Sequence, residues 1–153
     1  MLRSLKELFD NLTAPATDPP QAWHAPQLAA AVLLAEVMRA AGHGQSERQA
    51  VLQALRRAFT LADDAGERLL ARAQAETQQL YDYHRFTSVL NDSFTQPQKI
   101  ELVEALWSVA YADQRVQADE NHAISKIAGL LHVTHGEYIG AKLRAKEAAE
   151  DTA

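Results

Sequence analysis

The sequence predicts an all-α fold, a single-domain bundle of about seven or eight helices containing two similar helical hairpins. Three observations predict it. Apolar residues recur at the three-to-four spacing of a helix face in one stretch after another. No window alternates with period two for long enough to make a strand. Capping signals and short polar loops separate the apolar stretches, as in a bundle of antiparallel helices.

The first stretch, residues 1–12, puts Leu2, Leu5, Leu8, Phe9 and Leu12 on one stripe, with Arg3, Lys6 and Glu7 outside it. Two cations are few for a helix lying on a membrane surface, so packing on the rest of the chain is the favoured reading. Pro15, Pro19, Pro20 and Trp23 mark a loop, with Trp23 pinning it to the body. Residues 1–24 thus read as an N-terminal helix and proline-rich loop. Residues 25–145 read as the helical domain, and 146–153 as a charged tail that frays.

Within the domain, Pro26 opens a helix with Leu28, Val32, Ala35, Val37 and Met38 on its apolar side, ending before Gly42-His43-Gly44. Ser46 to Gln49 reads as a capping box for a helix with Val51, Leu52, Leu55 and Phe59 inward. Asp63 caps the next, which carries Leu69, Leu70, Ala73 and Leu80. A short helix over 81–91 turns Phe86, Val89 and Leu90 inward, and Asp92 and Ser93 fall in the turn after it. Thr95-Gln96-Pro97-Gln98 is a capping box with a first-turn proline, and Thr134-His135-Gly136-Glu137 is another.

The stretch 102–139 organises the chain. A helix face through Leu102, Val103, Leu106, Trp107 and Val109 stops at Ala112-Asp113. A polar loop leads to Asp119-Glu120, and a second face starts at Ile124, Ile127 and Leu131. The same arrangement occurs earlier. Leu34 to Ala41 before Glu47, Ala50 and Val51 parallels Leu106 to Asp113 before Glu120, Ala123 and Ile124.

The totals exclude several classes. With 153 residues and 47% hydrophobic content, the chain builds an ordinary core without staples. It has no cysteine, which removes disulfides, thiolate nucleophiles and zinc–thiolate sites. A net charge of −5 with no basic stripe argues against nucleic acid. No apolar run approaches the ~18 residues of a membrane span and no signal-peptide pattern is present, so the expected location is the cytoplasm.

At the paired hairpins the chain resembles the tellurite-resistance protein B (TerB) family, in its compact cytoplasmic branch. The pattern of that family is Ala-Asp-Gly, a few residues, then a Glu opening a helix, written twice. Ala112-Asp113 and Glu120 match the second copy, with Gln114 in place of glycine. In the first copy Gly42 and Glu47 match, but Ala41 stands where the aspartate belongs. The similarity runs from the first residues through Arg144. It implies an all-α bundle, a role in resistance to tellurite and other stresses, and metal-ion binding.

Asp113, Asp119 and Glu120 are the candidate site. Asp113 sits at the carbonyl end of a helix, which disfavours a carboxylate by ~0.3–1 kcal/mol. Together with the two acids across the loop it could hold a hard cation such as Ca²⁺ or Mg²⁺, weakly, since the EF-hand ligand spacing is absent. The structural alternative is that Asp119 caps the helix, Glu120 favours its N-terminus and Asp113 caps the turn. Glu47 lacks its aspartate, so the first copy is expected to hold no metal. His43, His84, His122, His132 and His135 show no i, i+4 metal pair and read as surface or capping residues. No glycine-rich phosphate loop or nucleophile elbow occurs, and Ser46 and Ser125 sit beside no evident base. Acidic loops are wrong for the tellurite oxyanion, and thiol reduction of it is excluded without cysteine. The expected function is a non-enzymatic stress-response module that binds a protein partner, with homo-oligomers compatible. The alternatives are a metal-ion sensor or carrier and, less favoured, a metal-dependent hydrolase.

Overall fold

The computed structural model describes residues 24–42, 44–62, 64–78, 82–113 and 118–151. The expected N-terminal helix, Trp23, His43, Asp63 and Leu80 lie outside them. The described residues form seven helices and no strand: α1 Ala25–Ala40, α2 Gln45–Ala58, α3 Ala65–Thr77, α4 His84–Ser93, α5 Gln96–Ala110, α6 Ala118–Leu130 and α7 His135–Asp151. The all-α bundle is as predicted.

The centre of the bundle is α1, not the stretch 102–139. Pro26 lies in its first turn, where a missing N–H costs nothing. Every residue from 29 to 38 is buried, so α1 is enclosed on all sides rather than along one stripe. It packs against α2, α3, α4, α5 and α6. The physical reason is its run of small and aliphatic side chains, interrupted over 29–38 only by the buried Glu36.

Around α1, α5 packs on α7 and on α2. Two predicted capping boxes set the starts of α5 and α7. Thr95 N–H donates to Gln98 Oε1 at 2.8 Å, and Gln98 N–H donates to Thr95 Oγ1 at 3.3 Å. Thr134 N–H donates to Glu137 Oε1 at 2.9 Å, and Glu137 N–H to Thr134 Oγ1 at 3.2 Å. Gln96 Nε2 ties the two starts together, donating to Glu137 Oε1 at 2.9 Å and to the His132 carbonyl at 3.2 Å. These bonds hold the Glu137 carboxyl below its ordinary range, the Thr134 N–H contributing most.

Between α6 and α7 the chain turns through His132, the one non-glycine residue with positive φ among the described residues, at 61°. His132 N–H bonds the Gly129 carbonyl at 3.1 Å and Val133 N–H bonds the Ala128 carbonyl at 3.1 Å. That pair of bonds is a Schellman motif with histidine where glycine is usual.

Other expectations need correction. The Ser46 capping box does not form, because α2 starts two residues earlier, at Gln45, with Gly44 as its cap. The helix expected over 81–91 is α4, displaced toward the C-terminus. His84 N–H bonds Asp82 Oδ1 at 2.8 Å at its start, and Asp92 and Ser93 are helical rather than in the turn. α7 runs on to Asp151, past the point where the charged tail was expected to begin, with Ala141 and Ala145 buried beneath it.

The aromatic residues seal one end of the core. Trp107 is fully buried and stacks on Tyr111 with ring centroids 5.7 Å apart. Tyr138 meets Trp107 edge-on at 5.8 Å, and Lys142 Nζ lies 4.9 Å from the Trp107 ring centroid.

Candidate functional site

Three buried acids distinguish this core: Glu36, Glu47 and Glu120. Burying a carboxylate is expensive unless it is paired. The three differ in how that cost is met.

Glu36 is satisfied. Its oxygens accept from Arg39 Nε at 2.9 Å and Arg39 Nη2 at 2.7 Å, and Oε2 also accepts from Tyr83 Oη at 3.2 Å. Burial, followed by the Glu36 charge, pushes the Tyr83 phenol up to about 12. The Arg39 guanidinium is held above its ordinary range, first by the Glu36 hydrogen bond and charge, then more weakly by Tyr83 and Asp119.

Glu47 is strained. It is the third residue of α2, 2% exposed, and its Oε2 meets no hydrogen-bond donor. Its Oε1 folds back over the cap so closely that a Cβ at position 44 would collide with it. A side chain at position 44 would have to push the end of the Glu47 side chain aside. Burial raises the Glu47 carboxyl above the ordinary range. Its own backbone N–H opposes this, and Asp113 adds to it as a repelling charge and as a partner for a shared proton. Asp113 lies just past the end of α5 and is exposed. Glu47 of α2 and Asp113 beyond α5 are therefore neighbours.

Of the predicted site residues, Asp113 is thus placed beside Glu47. Asp119 is exposed in the first turn of α6, near enough to Arg39 to act on it electrostatically. Glu120 is 1% exposed at the third position of α6, the position Glu47 holds in α2. Among the described residues no three His, Cys, Asp or Glu side chains are grouped so as to hold a metal ion. The loop residues 114–117 lie outside the described set.

Sequence reasoning missed the Glu47–Asp113 pair because it matched each glutamate with the aspartate of its own hairpin. The signal available was that two glutamates share the third position of their helices. It also missed a Ser88 Oγ to His84 Nδ1 contact of 3.3 Å, an i, i+4 pair on the outer side of α4. That pair lies outside the main groove, and Asp82 bonds the His84 backbone rather than serving as a third member of a relay. His135 stacks on Tyr138 at 6.4 Å, and His132 serves the turn described above.

A groove of about 630 Å³ runs between α2, α5 and the end of α7, with Ala30 and Leu34 of α1 at its floor. Alanines line much of it, among them Ala50, Ala54, Ala105 and Ala145.

The architecture is that of a compact helical domain in which the buried Glu47 of α2 lies beside Asp113, without a nucleophile–base cleft among the described residues. The chain belongs to the family described as tellurite resistance protein TerB, whose model matches residues 27–143. It is accordingly a helical module associated with tellurite resistance. Neither a curated protein nor a solved structure matches the chain. No helix among the described residues is long and apolar enough to cross a membrane.

Proposed function

We propose that this chain is a non-enzymatic module of the cytoplasmic tellurite and stress response that binds a protein partner, with a divalent cation at the Glu47–Asp113 junction conditioning that surface. The observation that carries the cation is the buried Glu47 Oε2, which no donor reaches, beside a second carboxylate. Two adjoining carboxylates are stable together when a proton or a cation lies between them. Two carboxylates completed by water suit Mg²⁺, which keeps most of its hydration shell, better than Ca²⁺, which wants six to eight oxygens. With no third acidic or histidine ligand grouped with them among the described residues, affinity is of order ~10⁻⁴ M or weaker. The cation would neutralise the pair and fix the two residues against each other.

Isothermal titration with Mg²⁺, Ca²⁺, Mn²⁺ and Zn²⁺ tests this. Wild type takes up one hard cation, and the Glu47→Gln, Asp113→Asn double variant does not. No uptake by wild type removes the cation from the account. A partner captured equally by metal-loaded and chelated protein supports the module. Capture abolished by chelation supports the metal sensor instead. Turnover of a phosphoester panel with Mn²⁺ that vanishes in the double variant would refute the non-enzymatic reading.

A further inference from the structure

We propose that the groove between α2, α5 and α7 docks the extended C-terminal tail of a protein partner, which rests on the partner-binding part of the reading above but not on its cation. The Gln49 and Gln53 carboxamides hold the backbone of the tail, and Arg57 holds its terminal carboxylate. Two rows of α2 residues line the groove. Gln49, Gln53 and Arg57 recur four residues apart and make a polar ridge, all three exposed. Ala50, Ala54 and Ala58, each one residue on, make a furrow of methyl groups beside it. On the α5 wall Ala105 is equally small, and Glu101 is exposed.

The ridge matches an extended backbone in spacing and in chemistry. Four helical residues advance about 6 Å. Two residues of an extended chain advance about 6.6 Å, and alternate residues turn their N–H and C=O to the same edge. A carboxamide has two donors and an acceptor, so each glutamine can pair with both backbone groups of one such residue. A helix laid in the same place would have its backbone bonds closed within itself and would set the carboxamides against side chains. The third member of the row is a cation, not an amide. That change fits a chain that ends there, because a guanidinium grips a carboxylate with two bonds. From Gln49 to Arg57 is about 12 Å, the reach of about four extended residues. Glu47 near the start of α2 neighbours Asp113 beyond α5, so the two helices run antiparallel. Phe94 and Glu101, around the start of α5, therefore lie toward the Arg57 end. There Phe59 and Phe94, both partly buried against the core, give apolar cover, while Glu101 accepts an N–H from the outer edge of the tail.

A randomised pool of acetylated pentapeptides tests this on the full chain, in chelator so that no cation takes part. One set ends in a free carboxylate and the other in an amide. Affinity selection read by mass spectrometry should retain the free-acid set about tenfold better than the amide set, as for one charge-assisted bond. Arg57→Gln should abolish that preference, and Arg57→Lys should restore part of it. The Gln49→Ala, Gln53→Ala double variant should release both sets with its helical circular dichroism unchanged, since alanine is at home at exposed helix positions. No retention of either set overturns the docking site. So does equal retention of acids and amides, or retention that survives the double variant. Peptides held only when Mg²⁺ is present, and lost in Asp113→Asn, would put the partner at the Glu47–Asp113 junction, which keeps the module and removes the groove.

Discussion

The contrast between Glu36 and Glu47 shows how two buried glutamates of one core act in opposite directions. Glu36 has three donors and a cation, so removing its charge leaves Arg39 and Tyr83 without their acceptor. Glu36→Gln should destabilise the fold by ~1–2 kcal/mol, less than a fully enclosed pair because Arg39 is half exposed. Glu47 is the reverse case, since its charge is opposed by burial and by Asp113. Its folded carboxyl titrates above the unfolded one, so the folded state binds more protons between the two values. Its contribution is therefore fully present below the ordinary glutamate range and declines as the pH rises through the folded value. In metal-free buffer Glu47→Gln should raise the melting temperature at neutral pH and flatten its pH dependence. A lower melting temperature at every pH would show that the charge is satisfied. Neither behaviour was legible in the sequence, where both residues are simply glutamates on helices. Burial and the identity of the neighbour come from α1 passing through the centre and from Glu47 meeting Asp113, which is distant in sequence.

At the scale of elements, local chemistry was readable where the partners are near in sequence. Pro26, Thr95 with Gln98, and Thr134 with Glu137 start their helices as their spacing predicts. Thr95→Ala should cost ~1 kcal/mol, measured by denaturant unfolding, because it orphans a first-turn N–H. Where the decisive contact is distant the reading failed. Gly44 caps α2 with the Glu47 carboxyl end lying over it, and Ser46, the better cap by composition, is inside the helix. α4 is shifted because Asp82 takes the His84 N–H. The His132 turn makes a further test. A left-handed residue other than glycine costs ~1–2 kcal/mol, while glycine gives back ~0.5–1 kcal/mol in chain entropy. His132→Gly should therefore stabilise by up to ~1 kcal/mol, and a loss of stability would mean that the imidazole itself holds the turn.

Over the whole molecule, α1 serves as the axle, with α2, α3, α4, α5 and α6 packed on it. The periodicity showed the helices but not which of them lies at the centre. An all-apolar helix signals burial, and α1 is the one whose middle carries a single charged side chain. Trp107 closes the core beside the α7 helix. Trp107→Ala should cost ~3–5 kcal/mol in unfolding, as for other buried aromatics, and should loosen α7 first. The pairing of Glu47 with Asp113 is the claim on which the functional reading depends. It makes Glu47, on α2, and Asp113, beyond α5, two halves of one feature. The most direct test is the melting temperature of metal-free protein as Mg²⁺ is added. Wild type should gain stability with increasing Mg²⁺, by the mass action of a ligand that binds only the folded state, and Glu47→Gln and Asp113→Asn should each abolish the gain. A wild-type curve that does not move, or variants that gain as much as wild type, would contradict the account.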